Sequence, residues 1–129
     1  GEPLLFYYWS PTAMMGKFNL IQLDEPAYSD ACWAELSKSD GKREEACAFP
    51  SVDVAYGVNS TFAKEAPEIA AVLEKATFPL EDVNGSLAYM ADNEVDADVA
   101  AKEFLKTKAD VWGEWVSPEA KAKIEDSLK

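Results

Sequence analysis

The run Leu4-Leu5-Phe6-Tyr7-Tyr8-Trp9 constrains this chain more than any other segment. Six apolar and aromatic residues in succession, closed off by Pro3 on one side and Ser10-Pro11 on the other, are too short for a buried helix. Their length and composition fit a strand covered on both faces. A second run, residues 18–23, follows Gly16 and stops at Asp24-Glu25-Pro26, where proline and the paired acids break a strand. In residues 52–58, Val52, Val54, Tyr56 and Val58 alternate with Asp53, Ala55 and Gly57. That period of two predicts a third strand with one face in a core.

The pattern changes after Asn59. Asn59-Ser60-Thr61 offers helix N-caps, and Phe62, Ala66, Ile69, Leu73 and Ala76 recur at helical spacing, with Pro67 where a first helical turn tolerates it. Leu80, Val83, Leu87 and Met90 predict a second helix, weakened by Gly85 in its interior. Asp96 or Asp98 can cap a third, whose stripe holds Ala101, Phe104, Leu105, Lys108, Trp112 and Trp115. Ser117-Pro118-Glu119 restarts a last helix to about Leu128. Between the second and third strands the chain is polar, with a turn at Ser39-Asp40-Gly41-Lys42 and one short helix around residues 30–36. Strands early and helices late predict an α/β or α+β domain. At 129 residues, 48% of them hydrophobic, one domain with a true core is expected.

Charge and composition exclude several function classes. With 24 acidic against 12 basic residues and a net charge of -12, the surface repels nucleic-acid backbones and anionic lipid headgroups while favouring cations. Histidine is absent, which removes the commonest general base and most zinc and copper sites. No metal or other cofactor is expected. No stretch of about 18 apolar residues is present to span a bilayer. Gly1-Glu2-Pro3 lacks the basic start of a signal peptide, so an export signal has either been removed or was never there. Cys32 and Cys47 are too far apart for a CxxC clip. A disulfide in an oxidising compartment is the favoured reading, and two inert thiols the other.

The chemistry-bearing segment is Phe6-Tyr7-Tyr8-Trp9-Ser10-Pro11-Thr12-Ala13. A strand that ends in an aromatic and turns sharply presents that ring at a sheet's carboxyl edge, where open α/β sheets place ligands. An indole face attracts a tetraalkylammonium ion, which cannot donate hydrogen bonds, at about 0.5–2 kcal/mol per ring. From the residues alone, an aromatic strand packed in a core remains the plainer alternative.

Tyr7-Tyr8-Trp9-Ser10-Pro11-Thr12-Ala13, followed by Leu23-Asp24-Glu25-Pro26, resembles the binding-strand motif of the glycine betaine, proline betaine and choline binding proteins of ABC importers. Three more stretches resemble the same family in the same order. They begin at Tyr56-Gly57-Val58 and run through Pro67, then Phe78-Pro79-Leu80-Glu81-Asp82-Val83-Asn84, then Trp112-Gly113-Glu114-Trp115-Val116. The resemblance implies part of a type II periplasmic-binding-protein fold, a short mixed sheet flanked by helices. Residues 1–129 would form a single domain, the carboxy-terminal half of a two-lobe protein. It implies no enzyme but a periplasmic or otherwise extracytoplasmic, exported component used in osmoprotection, with a quaternary ammonium ligand in an aromatic cage and an ABC permease as membrane partner. Trp9 corresponds to a cage tryptophan. Tyr7 shares its side by strand parity, which leaves Tyr8 for the core. The other rings and the carboxylate-binding groups would come from the missing amino-terminal lobe. Without that lobe an exposed interface would favour a dimer or strand-swapped assembly.

Competing readings are weaker. A carboxylate hydrolase needs a singled-out acidic pair, and no motif marks one. A structural or assembly fragment with no ligand of its own would bury Trp9. The Asp92-to-Glu103 segment is similar to a calcium loop but carries Ala97 where that loop needs glycine, so it reads as a capping loop. Trp112 and Trp115, at i and i+3, read as core. The glycosylation sequons at Asn59 and Asn84 read as a helix cap and a helix interior.

Overall fold

A computed structural model describes residues 3–38 and 46–129. Gly1, Glu2 and the Ser39-Asp40-Gly41-Lys42 turn lie outside the described residues. The chain divides into two units, residues 1–20 with 56–129, and residues 21–55.

In the larger unit the regular elements described are all helices. Thr12 opens α1 (Ala13–Lys17), its hydroxyl accepting from the Met15 amide. Asn59 opens α3 (Ser60–Glu65), its side chain accepting from the Thr61 amide at 2.7 Å. The helix expected from residue 60 to residue 76 is broken once, at Ala66, and resumes as α4 (Pro67–Lys75). Ala66 leaves the helical region because the proline ring behind it crowds that conformation. α5 (Leu80–Asn93) is the longest helix. α6 (Ala97–Thr107) starts at Asp96, whose carboxylate accepts from the Val99 amide at 3.1 Å. α7 (Ala109–Trp112) is a single turn, and α8 (Pro118–Ser127) is capped by Ser117.

Trp112 anchors this end of the unit. It is 1% exposed, and its indole Nε1–H donates to the Leu105 carbonyl at 2.8 Å, which satisfies the one polar atom of an otherwise apolar ring. Phe78 meets Trp115 at 4.8 Å and Phe104 at 5.4 Å between ring centroids. These contacts tie the entry of α5 to α6 and to the turn before α8. Trp112 is buried as expected, but the helix expected to carry both tryptophans breaks at Lys108, and Trp115 packs from the turn after α7 rather than at helical spacing.

The smaller unit is built around α2 (Asp30–Leu36), capped by Ser29, where a short helix is expected. A disulfide joins Cys32 to Cys47. Trp33 is flanked by Phe49 at 5.0 Å and Tyr28 at 6.4 Å, and the Ala48 amide donates to the Pro26 carbonyl at 2.8 Å.

The expected fold class is corrected by the structure. Among the described residues there is no strand and no sheet, so the α/β class with its short mixed sheet gives way to an all-helical architecture. Residues 4–9, 18–23 and 52–58 are free of helix, but among the described residues no neighbouring segment forms a ladder with them. A strand is defined by its partner's amide and carbonyl groups as much as by its own side chains. Leu4 and Leu5 are each 80% exposed and Val54 is 101% exposed, so no layer covers these runs as a sheet core would.

Candidate functional site

The aromatic run leads into the turn that starts α1, and that turn is held from a distance. Asn84, 8% exposed in the middle of α5, accepts a hydrogen bond from the Thr12 amide through Oδ1 at 2.8 Å. The Ser10 hydroxyl lies 3.2 Å from the same oxygen and 3.1 Å from Nδ2. An amide side chain can accept and donate from one planar group, so Asn84 fastens both residues flanking Pro11.

Gly16 makes that reach possible. A Cβ at this position would stand 2.2 Å from the Asn84 carbonyl oxygen and 2.8 Å from the Ala88 Cβ. With hydrogen in its place, α1 settles directly on the α5 backbone. Lys17 then pairs with Asp92 at 2.5 Å. Asn84, Ala88 and Asp92 follow one another at i, i+4 and i+8, a single stripe along α5.

On this anchored turn Trp9 is 62% exposed. Tyr8 stacks on it at 5.0 Å between centroids with planes 20° apart, and Tyr7 stands 6.4 Å away, tilted by 44°. Phe6 meets Tyr8 edge-on at 5.9 Å. Strand parity separates Tyr8 from Trp9 and pairs Tyr7 with it. In the structure all three are exposed and Tyr8 is the nearer neighbour, because alternation is enforced only in a pleated, paired strand. The arrangement offers aromatic faces to solution on a backbone fixed at one end, suited to a soft cation through ring quadrupoles.

The sequence reading places Trp9 and Tyr7 at the ligand, and the structure brings the two rings side by side. Asn84 escaped it. Its signal lies in the Phe78-to-Asn84 stretch, where an asparagine sits within a helical pattern that otherwise favours apolar or long side chains.

Elsewhere in this unit, a shallow groove between α5 and α6 is lined by Asp82, Ser86, Tyr89, Phe104 and Lys108, among others, and by none of the residues at positions 7–9. Its polar centre is the ion pair between Lys108 and Asp82 at 2.5 Å. The hydrogen bond to Asp82, and then the attraction of its charge, hold the Lys108 ammonium above the ordinary lysine range. Asp92 and Asp96 serve as an ion-pair partner and a helix cap, and no cluster of three metal-ligating side chains occurs among the described residues. Among those residues no helix is long and apolar enough to cross a membrane.

Residues 1–107 match a family model, OpuAC, described as the substrate binding domain of ABC-type glycine betaine transport system. No curated protein and no solved structure matches the chain.

Proposed function

The chain belongs to the family of substrate-binding domains of ABC-type glycine betaine transport systems, which is not an enzyme family, and from that premise we propose how it works. It captures a quaternary ammonium compound (glycine betaine, proline betaine or choline) outside the cytoplasmic membrane. It passes that solute to an ABC permease without covalent change. Trp9 and Tyr7 present the faces that replace water around the trimethylammonium group. A second lobe supplies further rings and closes on the ligand, a motion the ligand biases by binding the closed state better.

The exposure of Trp9 carries this reading. A large indole left 62% open to solvent, on a turn whose backbone is fixed from a buried helix position, supports a ligand contact at this ring. One ring contributes about 0.5–2 kcal/mol toward a cation. Several rings are therefore needed for useful affinity, which supports the partner lobe. The net charge of -12 favours the approach of a cation and disfavours nucleic acid.

The test is calorimetric titration of glycine betaine and choline into the full-length protein and into Trp9→Ala. Loss of the ring lowers affinity roughly 2- to 30-fold, with little change in melting temperature because the side chain is largely exposed. Unchanged affinity for both solutes, accompanied by a lowered melting temperature, would mean that Trp9 is a structural residue and would overturn the proposal.

A further inference from the structure

We infer that Asn84 is the positioning residue of the aromatic site, setting the direction of the Trp9 ring from a helix distant in sequence; this rests on the function proposed above. Three observations carry it. Ser10 and Thr12 bracket Pro11, and both are bonded to the one amide group of Asn84. Ser10 directly follows Trp9, so fixing its hydroxyl also fixes the chain on which the indole stands.

The second observation is how the Thr12 amide is satisfied. In a capping box the N3 side chain of the same helix reaches back to the N-cap amide. Here Thr12 is the N-cap and N3 is Met15, which offers no such acceptor. Asn84 takes over that half of the box from α5, so the start of α1 is closed by a tertiary contact rather than a local one.

The third is burial. Asn84 is 8% exposed, and water competes little for its amide. The close seat of Gly16 on the Asn84 carbonyl holds the backbone beneath the side chain in register with the turn. Residues 4 and 5 are open to solvent, so the fixed end of the aromatic run is the Ser10–Thr12 end. A cation–π contact depends on where the ring face points, and a site held loosely by its supports loses much of its affinity.

The experiment uses the full-length protein labelled with 5-fluorotryptophan, in which the tryptophans at positions 9, 33, 112 and 115 each give a fluorine resonance, those of Trp9, Trp112 and Trp115 being identified with single Trp→Phe substitutions. In Asn84→Ala the Trp9 resonance shifts or broadens while those of Trp112 and Trp115 hold. Glycine betaine affinity measured by calorimetry falls on the order of tenfold. Asn84→Asp keeps an acceptor for both the Thr12 amide and the Ser10 hydroxyl and leaves the Trp9 resonance close to its original position. Ser10→Ala, which removes one of the two attachments, shifts the Trp9 resonance to a lesser degree. If Asn84→Ala unfolds, seen as collapse of the Trp112 and Trp115 resonances, the Ser10→Ala and Asn84→Asp pair decides by the same criterion. A Trp9 resonance unmoved in folded Asn84→Ala or in Ser10→Ala overturns the inference, as does full affinity in folded Asn84→Ala. Should the unsubstituted protein bind neither glycine betaine nor choline, the proposed function fails on its own, and the fluorine spectra still decide whether Asn84 sets the ring.

Discussion

Replacing Gly16 with alanine tests the seating of α1 on α5 against a competing effect of known sign. Alanine is the better helix former by about 1 kcal/mol, so on local grounds Gly16→Ala should stabilise α1. The new methyl, however, would lie 2.2 Å from the Asn84 carbonyl oxygen, more than an ångström short of ordinary contact, and 2.8 Å from the Ala88 Cβ. Two of its three nearest neighbours are backbone atoms, so no side chain can swing aside and the helices must part. Overpacking of this kind costs about 1–3 kcal/mol. A shift of that size also breaks the Asn84 bond to the Thr12 amide, at about 1 kcal/mol more. After subtracting the propensity gain the net loss is about 2 kcal/mol, or roughly 6–10 °C in melting temperature for a chain of this length. Thermal unfolding followed by circular dichroism at 222 nm measures it. Gly85 supplies the internal control: it lies within α5 with nothing near a built Cβ, so Gly85→Ala should stabilise by about 0.5–1 kcal/mol. If Gly16→Ala melts at or above the temperature of the unsubstituted protein, the helices do not meet as described.

Three further outcomes follow from other contacts. Trp112→Phe loses the bond to the Leu105 carbonyl and leaves a void, lowering stability by about 1–3 kcal/mol in urea denaturation; an unchanged midpoint would refute the burial of that indole. Opening the Cys32–Cys47 bridge with a Cys32→Ser, Cys47→Ser double variant removes about 3 kcal/mol from the smaller unit. Hydrogen exchange should show it as faster exchange at the Ala48 amide, with α5 unaffected. Lys108 is held above its ordinary range by the Asp82 hydrogen bond and then by the Asp82 charge. The folded state therefore keeps that proton longer than the unfolded chain, and the pair's stabilisation is whole below about pH 10.4 and is lost as pH rises through the raised value. The melting-temperature gap between the protein and Lys108→Met should accordingly be wide near pH 8 and narrow as pH rises through the raised value; a constant gap would refute the assignment.

What could be read from the sequence divides by the range of the interactions involved. Helix starts were legible because capping is local: Asn59, Asp96 and Ser117 each bond an amide two or three residues on. The apolar stripe likewise located α5, but the third stripe, read as one helix as far as Trp115, ends at Thr107 as α6, breaks at Lys108 and continues only as the single turn α7. The strands were not realised, because residues 4–9 and 52–58 carry the composition of strands without the partner that would make them so. Pro67 is tolerable in a first turn, but its effect on Ala66 splits one expected helix into two. For the site, the residue types at positions 7 and 9 pointed to a cation. The hold on their turn did not show, because it spans more than seventy positions and runs through a stripe of asparagine, alanine and aspartate that no count of apolar residues marks as a packing face.

That stripe makes α5 a beam shared by two tasks. The four-residue rhythm of Asn84, Ala88 and Asp92 carries the turn, the seat of α1 and its terminal ion pair in turn. Asp82, on the same helix, grips Lys108 at the end of α6. On the function proposed above, changes along this helix trade folding against ligand capture, so an engineer wishing to retune selectivity alone should work on the open rings and leave their support untouched.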